Sequence, residues 1–298
     1  MTHNLYQRID ADNFSITLGK AGSFGTPNEE LAKIAATLPH KLTVLVSGGA
    51  DCEVMTRWMV RAGKDVQAVC YKFMYKGKCV NEHDIAYVSE LAGVCPVKYK
   101  TINLEIFWSS NWFWSFLEQH KCTSPQLPIQ AYMALIESME RFTILPAIHP
   151  EPKMLNGVTH IQEREKDYAI LAYMAGENCM VSPLRHTPEV MTSIISSNEF
   201  TNFHTFGIDD GRDRKYLQYK EWFDIDIKPR QKYHGFEGSE DVDNMMRQKI
   251  YDRFGYSESW IFVPAQEILD NLLTQVATYS TITHSKLISK DFFKLEKW

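Results

Sequence analysis

Residues Lys41 to Arg57 read K-L-T-V-L-V-S-G-G-A-D-C-E-V-M-T-R, and the reading of this stretch decides the fold. An apolar, β-branched run from Leu42 to Val46 enters a Ser-Gly-Gly turn and leaves as a helix, the way α/β proteins build an anion site. Gly48 and Gly49 have no Cβ, so the backbone can adopt unusual dihedrals and lie close against a ligand. The helix beyond them presents N–H groups and the positive end of its dipole, which suit phosphate oxygens. Asp51 falls in the first helical turn, where a carboxylate is favourable and is placed to hold Mg²⁺ against phosphates. No Gly-Lys-Ser/Thr follows, which excludes the Walker-type loop.

Outward from this stretch the pattern alternates. Leu31, Ile34 and Ala35 mark a helix from Pro27, and Pro39 ends it before the strand. Val54, Trp58 and Ala62 give the helix 50–63 one apolar face, closed by Gly63. Val66 to Phe73 is a second strand, M-Y-K-G-K-C-V a turn, and Asn81 to Ala92 a helix capped by Asn81. Pro96 to Leu104 reads as a third strand. This βαβαβ order predicts a Rossmann-like, doubly wound parallel sheet, with ligands beyond the carboxyl ends of its strands. A helix over 129–142 and a fourth strand over 143–148 continue it.

Strand, S-G-G-A-D, helix resembles the PP-loop ATP pyrophosphatase superfamily, whose signature is S-G-G-x-D-S. Ser47, Gly48, Gly49 and Asp51 match, Ala50 takes the variable position, and Cys52 stands where Ser or Thr is usual. A second habit of that superfamily, a strand ending in Pro-Leu before a capped helix, has its counterpart in M-V-S-P-L-R-H-T-P-E-V-M. There Thr187 caps, Pro188 opens the helix and Glu189 lies in its first turn. The resemblance implies an ATP-dependent enzyme, ligase- or amidotransferase-like. A substrate oxygen attacks the α-phosphorus, pyrophosphate leaves, and the adenylated carbonyl or carboxylate is displaced by ammonia, an amine or a sulfur donor. It implies ATP and Mg²⁺ as cofactors, with Asp51 as the metal ligand. Tyr71, Lys72 and Phe73 inherit the region that frames adenine and ribose, although Tyr71 and Phe73 equally suit packing of the sheet.

The loop carries no cation of its own. Lys72, Lys76 and Lys78, Arg185 in S-P-L-R, and Lys228, Arg230 and Lys232 in K-P-R-Q-K are the candidates to neutralise phosphate charge, or to form a plain solvated loop. His149 and Glu151, beyond the fourth strand, are candidates for substrate or metal contact, or an ordinary surface loop held extended by two prolines. Phe107 to Phe116, F-W-S-S-N-W-F-W-S-F, is either a helix buried on the sheet or a stacking wall for a planar substrate that includes Trp112.

The cysteine pattern bears on the branch without selecting one. The six cysteines include no C-x-x-C, and none follows Cys179. The 7-cyano-7-deazaguanine-synthase-like branch, similar from 41 to about 104, normally ends in a zinc-binding cysteine cluster. The asparagine-synthetase-like branch needs no cysteine in its synthetase domain and is the least contradicted. Beyond 202 the composition turns polar, aromatic and turn-rich, which predicts a PP-loop domain over 1–202 and a smaller C-terminal α+β appendage over 203–298, for substrate contact or homo-oligomerisation. Trp260 to Val263 reads as a strand, and Pro264 opens a helix with Ile268, Leu272 and Val276 aligned. A net charge of −5 disfavours strong nucleic-acid binding, leaving a small-molecule or nucleotide substrate. No apolar run approaches the ~20 residues of a membrane span, and with scattered thiols and no signal-like N-terminus the expected location is cytoplasmic. The alternative is a nucleotide-binding or scaffolding protein that keeps the loop without chemistry.

Overall fold

A computed structural model describes residues 6–8, 13–18, 22–145, 151–155, 158–163, 178–184, 187–198, 200, 211–228, 240–256, 261–264 and 275–280. Strands β1 (Tyr6–Arg8) and β2 (Asn13–Leu18) precede helix α1 (Pro27–Thr37), which Thr26 and Glu29 start with a reciprocal capping box. The predicted core follows as β3 (Lys41–Val46), α2 (Ala50–Arg61), β4 (Asp65–Tyr75), β5 (Lys78–Cys79), α3 (Glu82–Ser89) and β6 (Val97–Asn103). Next come α4 (Leu104–Ser109), α5 (Asn111–His120), α6 (Gln126–Ser138) and β7 (Phe142–Leu145). A hairpin of β8 (Glu151–Leu155) and β9 (Val158–Glu163) leads on to β10 (Cys179–Val181) and α7 (Pro188–Ser196). The chain continues through α8 (Gly211–Phe223), α9 (Glu240–Phe254), β11 (Ile261–Pro264) and β12 (Gln275–Ser280).

The central sheet runs β6-β4-β3-β7-β10, all parallel, with only the short β5 turned back on the end of β4. In chain order of these five strands that is 3-2-1-4-5, the doubly wound arrangement. The order reverses between β3 and β7, so the crevice for a ligand opens beyond their carboxyl ends. The S-G-G bend after β3 lies there. The fold class expected from sequence is the one observed.

Alternation along the strands feeds two cores. On one face Leu42, Val44 and Val46 pack with α1, α2 and α8; on the other Leu45, Val69 and Tyr71 pack with α5, α6 and α9. Ser110 caps α5 and breaks F-W-S-S-N-W-F-W-S-F into two helices, with Phe107, Trp108, Phe113 and Phe116 buried. The buried-helix reading is the correct one for these four.

Two expectations for the C-terminal third change. Residues 211–223 and 240–254 are helices rather than turn-rich connections, and Val276 lies in β12, not in a helix. Both cores also take residues from beyond position 202. Tyr219, Trp222, Phe223, Ile225 and Ile227 lie in the same core as α1 and α2, while Met246 and Ile250 lie in the other. Fully burying a large apolar side chain stabilises by roughly 1.5–3 kcal/mol, so the three rings of α8 contribute to holding that core together. The expected helical run at 168–175 and most of that at 264–278 fall outside the described residues.

Candidate functional site

β3 ends at Val46, and the chain turns at Ser47 and Gly48. Gly48 has φ +71°, and a Cβ on it would run into the carbonyl oxygen of Asp84 on α3. Glycine is therefore required twice, for the left-handed backbone and for the close approach of α3. Gly49 is the N-cap of α2 and brings no side-chain cap, leaving the start of this helix to backbone amides alone. Ser47 is exposed, whereas Gly48, Gly49, Ala50, Asp51 and Cys52 are buried. An exposed hydroxyl followed by a helix N-terminus at the switch point can hold an anion.

Residues 40–130 match the family model of the tRNA methyl transferase HUP domain. The match spans β3 to α6, about a third of the chain, and carries the S-G-G-A-D bend within it. It indicates the PP-loop/HUP adenine nucleotide alpha-hydrolase superfamily, whose members are generally ATP-using pyrophosphatases, without selecting a branch. No curated protein matches the chain.

Within the matched region the loop is supported from three sides. The Cys52 thiol sits inside the bend, 3.4 Å from both the backbone nitrogen and the hydroxyl oxygen of Ser47, and accepts from the former. Such a contact to sulfur is longer and weaker than one to a hydroxyl oxygen. Asp84 closes the Gly48 side. The Asp51 carboxylate, 4% exposed, accepts a hydrogen bond from the hydroxyl of Tyr219 on α8, 168 residues away.

The second region, after β4, is arranged differently. β4 runs past the end of β3, so its edge from Tyr71 onward has lost its neighbour. Asn81 takes that edge, donating to Tyr71 O at 2.8 Å and accepting from Phe73 N at 2.9 Å, and Val80 N donates to Phe73 O at 2.8 Å. Asn81 stands at the N-cap of α3 but makes no side-chain cap there. The hairpin turn Lys76-Gly77 has positive φ at both residues, as a type I′ turn between antiparallel strands requires.

The proposed adenine-framing residues separate accordingly. Tyr71 turns to the opposite core, where its hydroxyl donates to Glu137, which also receives Lys100 Nζ at 2.5 Å. Burial, with the Glu137 carboxylate next to it, raises the Tyr71 hydroxyl well above the usual tyrosine range. The Lys72 ammonium lies 5.3 Å from the ring centre of Tyr99, on the far edge strand β6. Phe73 packs against the Tyr71 side. Cys70, level with Val46, has its thiol pushed up to about 12, chiefly by burial and then by the nearby Cys52, Asp84 and Cys79, so it stays protonated and non-nucleophilic near neutrality.

Among the other candidates, Trp112 is 38% exposed and packs with Phe107, Phe116 and Tyr132 on the face opposite α2. The fold does not bring it to the bend. Lys76 and Lys78 are exposed in the β4–β5 hairpin, and Lys228 is exposed just after the buried Ile227. Glu151 opens β8, in register with Gln162 of β9. His149, Arg185, Arg230 and Lys232 lie outside the described residues. Thr187 is the N-cap of α7, but its hydroxyl turns back to Pro183 O at 3.1 Å, while Pro188 and Glu189 take the expected places.

Sequence reasoning missed Tyr219, Asp84 and the edge role of Asn81. Tyr216, Tyr219, Trp222 and Phe223 fall on one side of a 3.6-residue helix, so the spacing was a usable signal for α8, masked by the charges between them. Nothing local could have paired Tyr219 with Asp51. Among the described residues no cluster of three or more His, Cys, Asp or Glu could hold a metal, and no helix is long and apolar enough to cross a membrane.

Proposed function

We propose that the protein is an ATP-dependent adenylating enzyme that releases AMP and pyrophosphate while activating a carbonyl or carboxylate. The observation that carries this reading is the S-G-G-A-D bend at the switch point of a 3-2-1-4-5 sheet, with Gly48 in a backbone conformation suited to glycine. The exposed Ser47 hydroxyl and the first-turn amides of α2 hold the β,γ-phosphates, and the helix dipole offsets part of their charge. Mg²⁺, where bound, neutralises further charge. The fit at this chain is one carboxylate, Asp51, plus phosphate oxygens, an arrangement that Mg²⁺ accepts. Such transfer relies on positioning and charge neutralisation more than on covalent chemistry by the protein. Lys228, Arg185, Arg230 and Lys232 are the candidates to supply the remaining cation, and His149 and Glu151 those to contact the acceptor, a small molecule or nucleobase. Amide or related bond formation completes the reaction, in the manner of the asparagine-synthetase-like branch. A cytoplasmic setting and a homo-oligomer accord with the sequence. Incubation with ATP, Mg²⁺ and candidate acceptors releases AMP and pyrophosphate on this reading; ADP and phosphate contradict it.

A second reading, a nucleotide-binding or scaffolding protein without chemistry, is favoured by two particulars. The Asp51 carboxylate is engaged by Tyr219, and the Cys52 thiol fills the bend from inside. It predicts ATP binding with no exchange of labelled pyrophosphate into ATP under any acceptor mixture.

A further inference from the structure

We propose that Tyr219 is the positioning residue of the ATP loop, fixing the Asp51 carboxylate in the orientation from which it meets the metal–nucleotide. The inference rests on the ATP-binding reading above. A carboxylate in the first turn of a helix has several staggered orientations, and a charge-assisted hydrogen bond from a fixed donor selects one. Tyr219 is such a donor. Its hydroxyl meets Asp51 Oδ1, and its ring is fully buried, with Trp222 and Phe223 buried beside it in the core under α1 and α2.

The helix that carries Tyr219 is anchored at its far end as well. Arg61, in the last turn of α2, donates to Phe223 O at 2.5 Å and to Asp224 O at 2.7 Å, taking carbonyls at the C-terminal end of α8. Asp224 then turns the chain with φ +51°. Tyr219 and Arg61 therefore tie α8 to opposite ends of α2. Lifting α8 off the loop would expose three large rings and break both ties. It is a fixed support and not a lid, and the hydroxyl acts by orientation rather than by opening.

The test compares ATP binding by calorimetry in Mg²⁺ and in EDTA for the wild type and Tyr219→Phe, with thermal midpoints alongside. The phenylalanine ring keeps the packing and removes only the donor. The expected result is an unchanged affinity for ATP in EDTA and a loss of about tenfold in the gain conferred by Mg²⁺, the scale of one hydrogen bond to a charged group. A purely structural role predicts a lower midpoint with the Mg²⁺-dependent gain intact, and that overturns the proposal. A larger gain in the variant also overturns it, since the hydroxyl would then be competing with the metal. If the wild type binds no ATP under either condition, the nucleotide reading itself fails and this inference falls with it, a result distinct from the other two. Should Tyr219→Phe not fold, Arg61→Ala loosens the same helix from outside the loop. A smaller loss of the Mg²⁺-dependent gain is then expected, and an unchanged gain overturns the proposal.

Discussion

The carboxyl ends of β3 and β4 lie side by side and serve opposite purposes. At β3 the chain leaves through an exposed serine and two glycines into the start of a helix. At β4 the strand runs on, folds back through a two-residue hairpin, and has its open edge occupied by the Asn81 amide. One end passes through a glycine bend into a helix N-terminus at the switch point; the other folds back and has its edge taken by a side chain of the same chain. A parallel sheet has several carboxyl ends, and those at the switch point, followed by a helix N-terminus, are the ones that suit an anion. The switch point lies between β3 and β7, while Tyr71 and Phe73 pack with the core on the other face.

The largest effect is expected at Gly48. Gly48→Ala places a Cβ against the Asp84 carbonyl at φ +71°. Strain and overpacking together are expected to cost about 2–5 kcal/mol, read as a lower urea midpoint, and ATP binding is lost with the bend. Asn81→Ala removes the acceptor for Phe73 N and the donor to Tyr71 O. It is expected to cost about 2 kcal/mol in the same measurement while leaving ATP affinity unchanged, because this edge serves the fold and not the ligand. Loss of ATP binding without loss of stability would reverse the assignment of the two ends.

Alkaline titration sharpens the comparison with a smaller effect. The Cys70 and Cys179 thiols are pushed up to about 12 by burial, and the Tyr71 hydroxyl is raised too. In the unfolded chain the thiols ionise near 8.5. The folded state therefore holds protons that the unfolded state has released. Stability present below about pH 8.5 is lost as pH rises toward 12, by at most ~1.4 kcal/mol per pH unit for each group. Denaturant midpoints between pH 8 and 11 should fall steadily, and a flat profile contradicts the burial of these groups. The smallest effect is expected from Cys52→Ser. The change is close to isosteric, replaces a long sulfur contact to Ser47 N with a hydroxyl one, and should alter stability by less than about 1 kcal/mol. ATP affinity is retained or improved; its abolition would give the thiol a role beyond holding the bend.

Much of the β3–α6 region was legible because its cues are local. Pro39, the S-G-G bend, Gly63 and the Lys76-Gly77 turn each mark a boundary by backbone chemistry, and β-branched runs mark the strands between them. The Asn81 amide was read as a helix cap because its position is that of a cap; a strand left without a neighbour needed it more, and that need appears only once β3 is known to end opposite Cys70. The tryptophan-rich stretch was ambiguous for the same reason, since aromatic residues at helical spacing suit burial and stacking alike. Helix α8 was missed because Arg212, Asp213, Arg214, Lys215, Lys220 and Glu221 dominate its composition, while three buried rings do its packing. The Asp51–Tyr219 contact joins residues 168 apart, and no pattern within either segment announces it.

The most direct test of the account is calorimetric titration of ATP with Mg²⁺ into the wild type and into Asp51→Asn. The asparagine can still accept from Tyr219, so the fold and the support of α8 are retained while the charge is removed. The account predicts a single ATP site in the wild type and at least a tenfold weaker one in Asp51→Asn, with unchanged thermal midpoints. No binding by the wild type, or equal binding by both proteins, would contradict it.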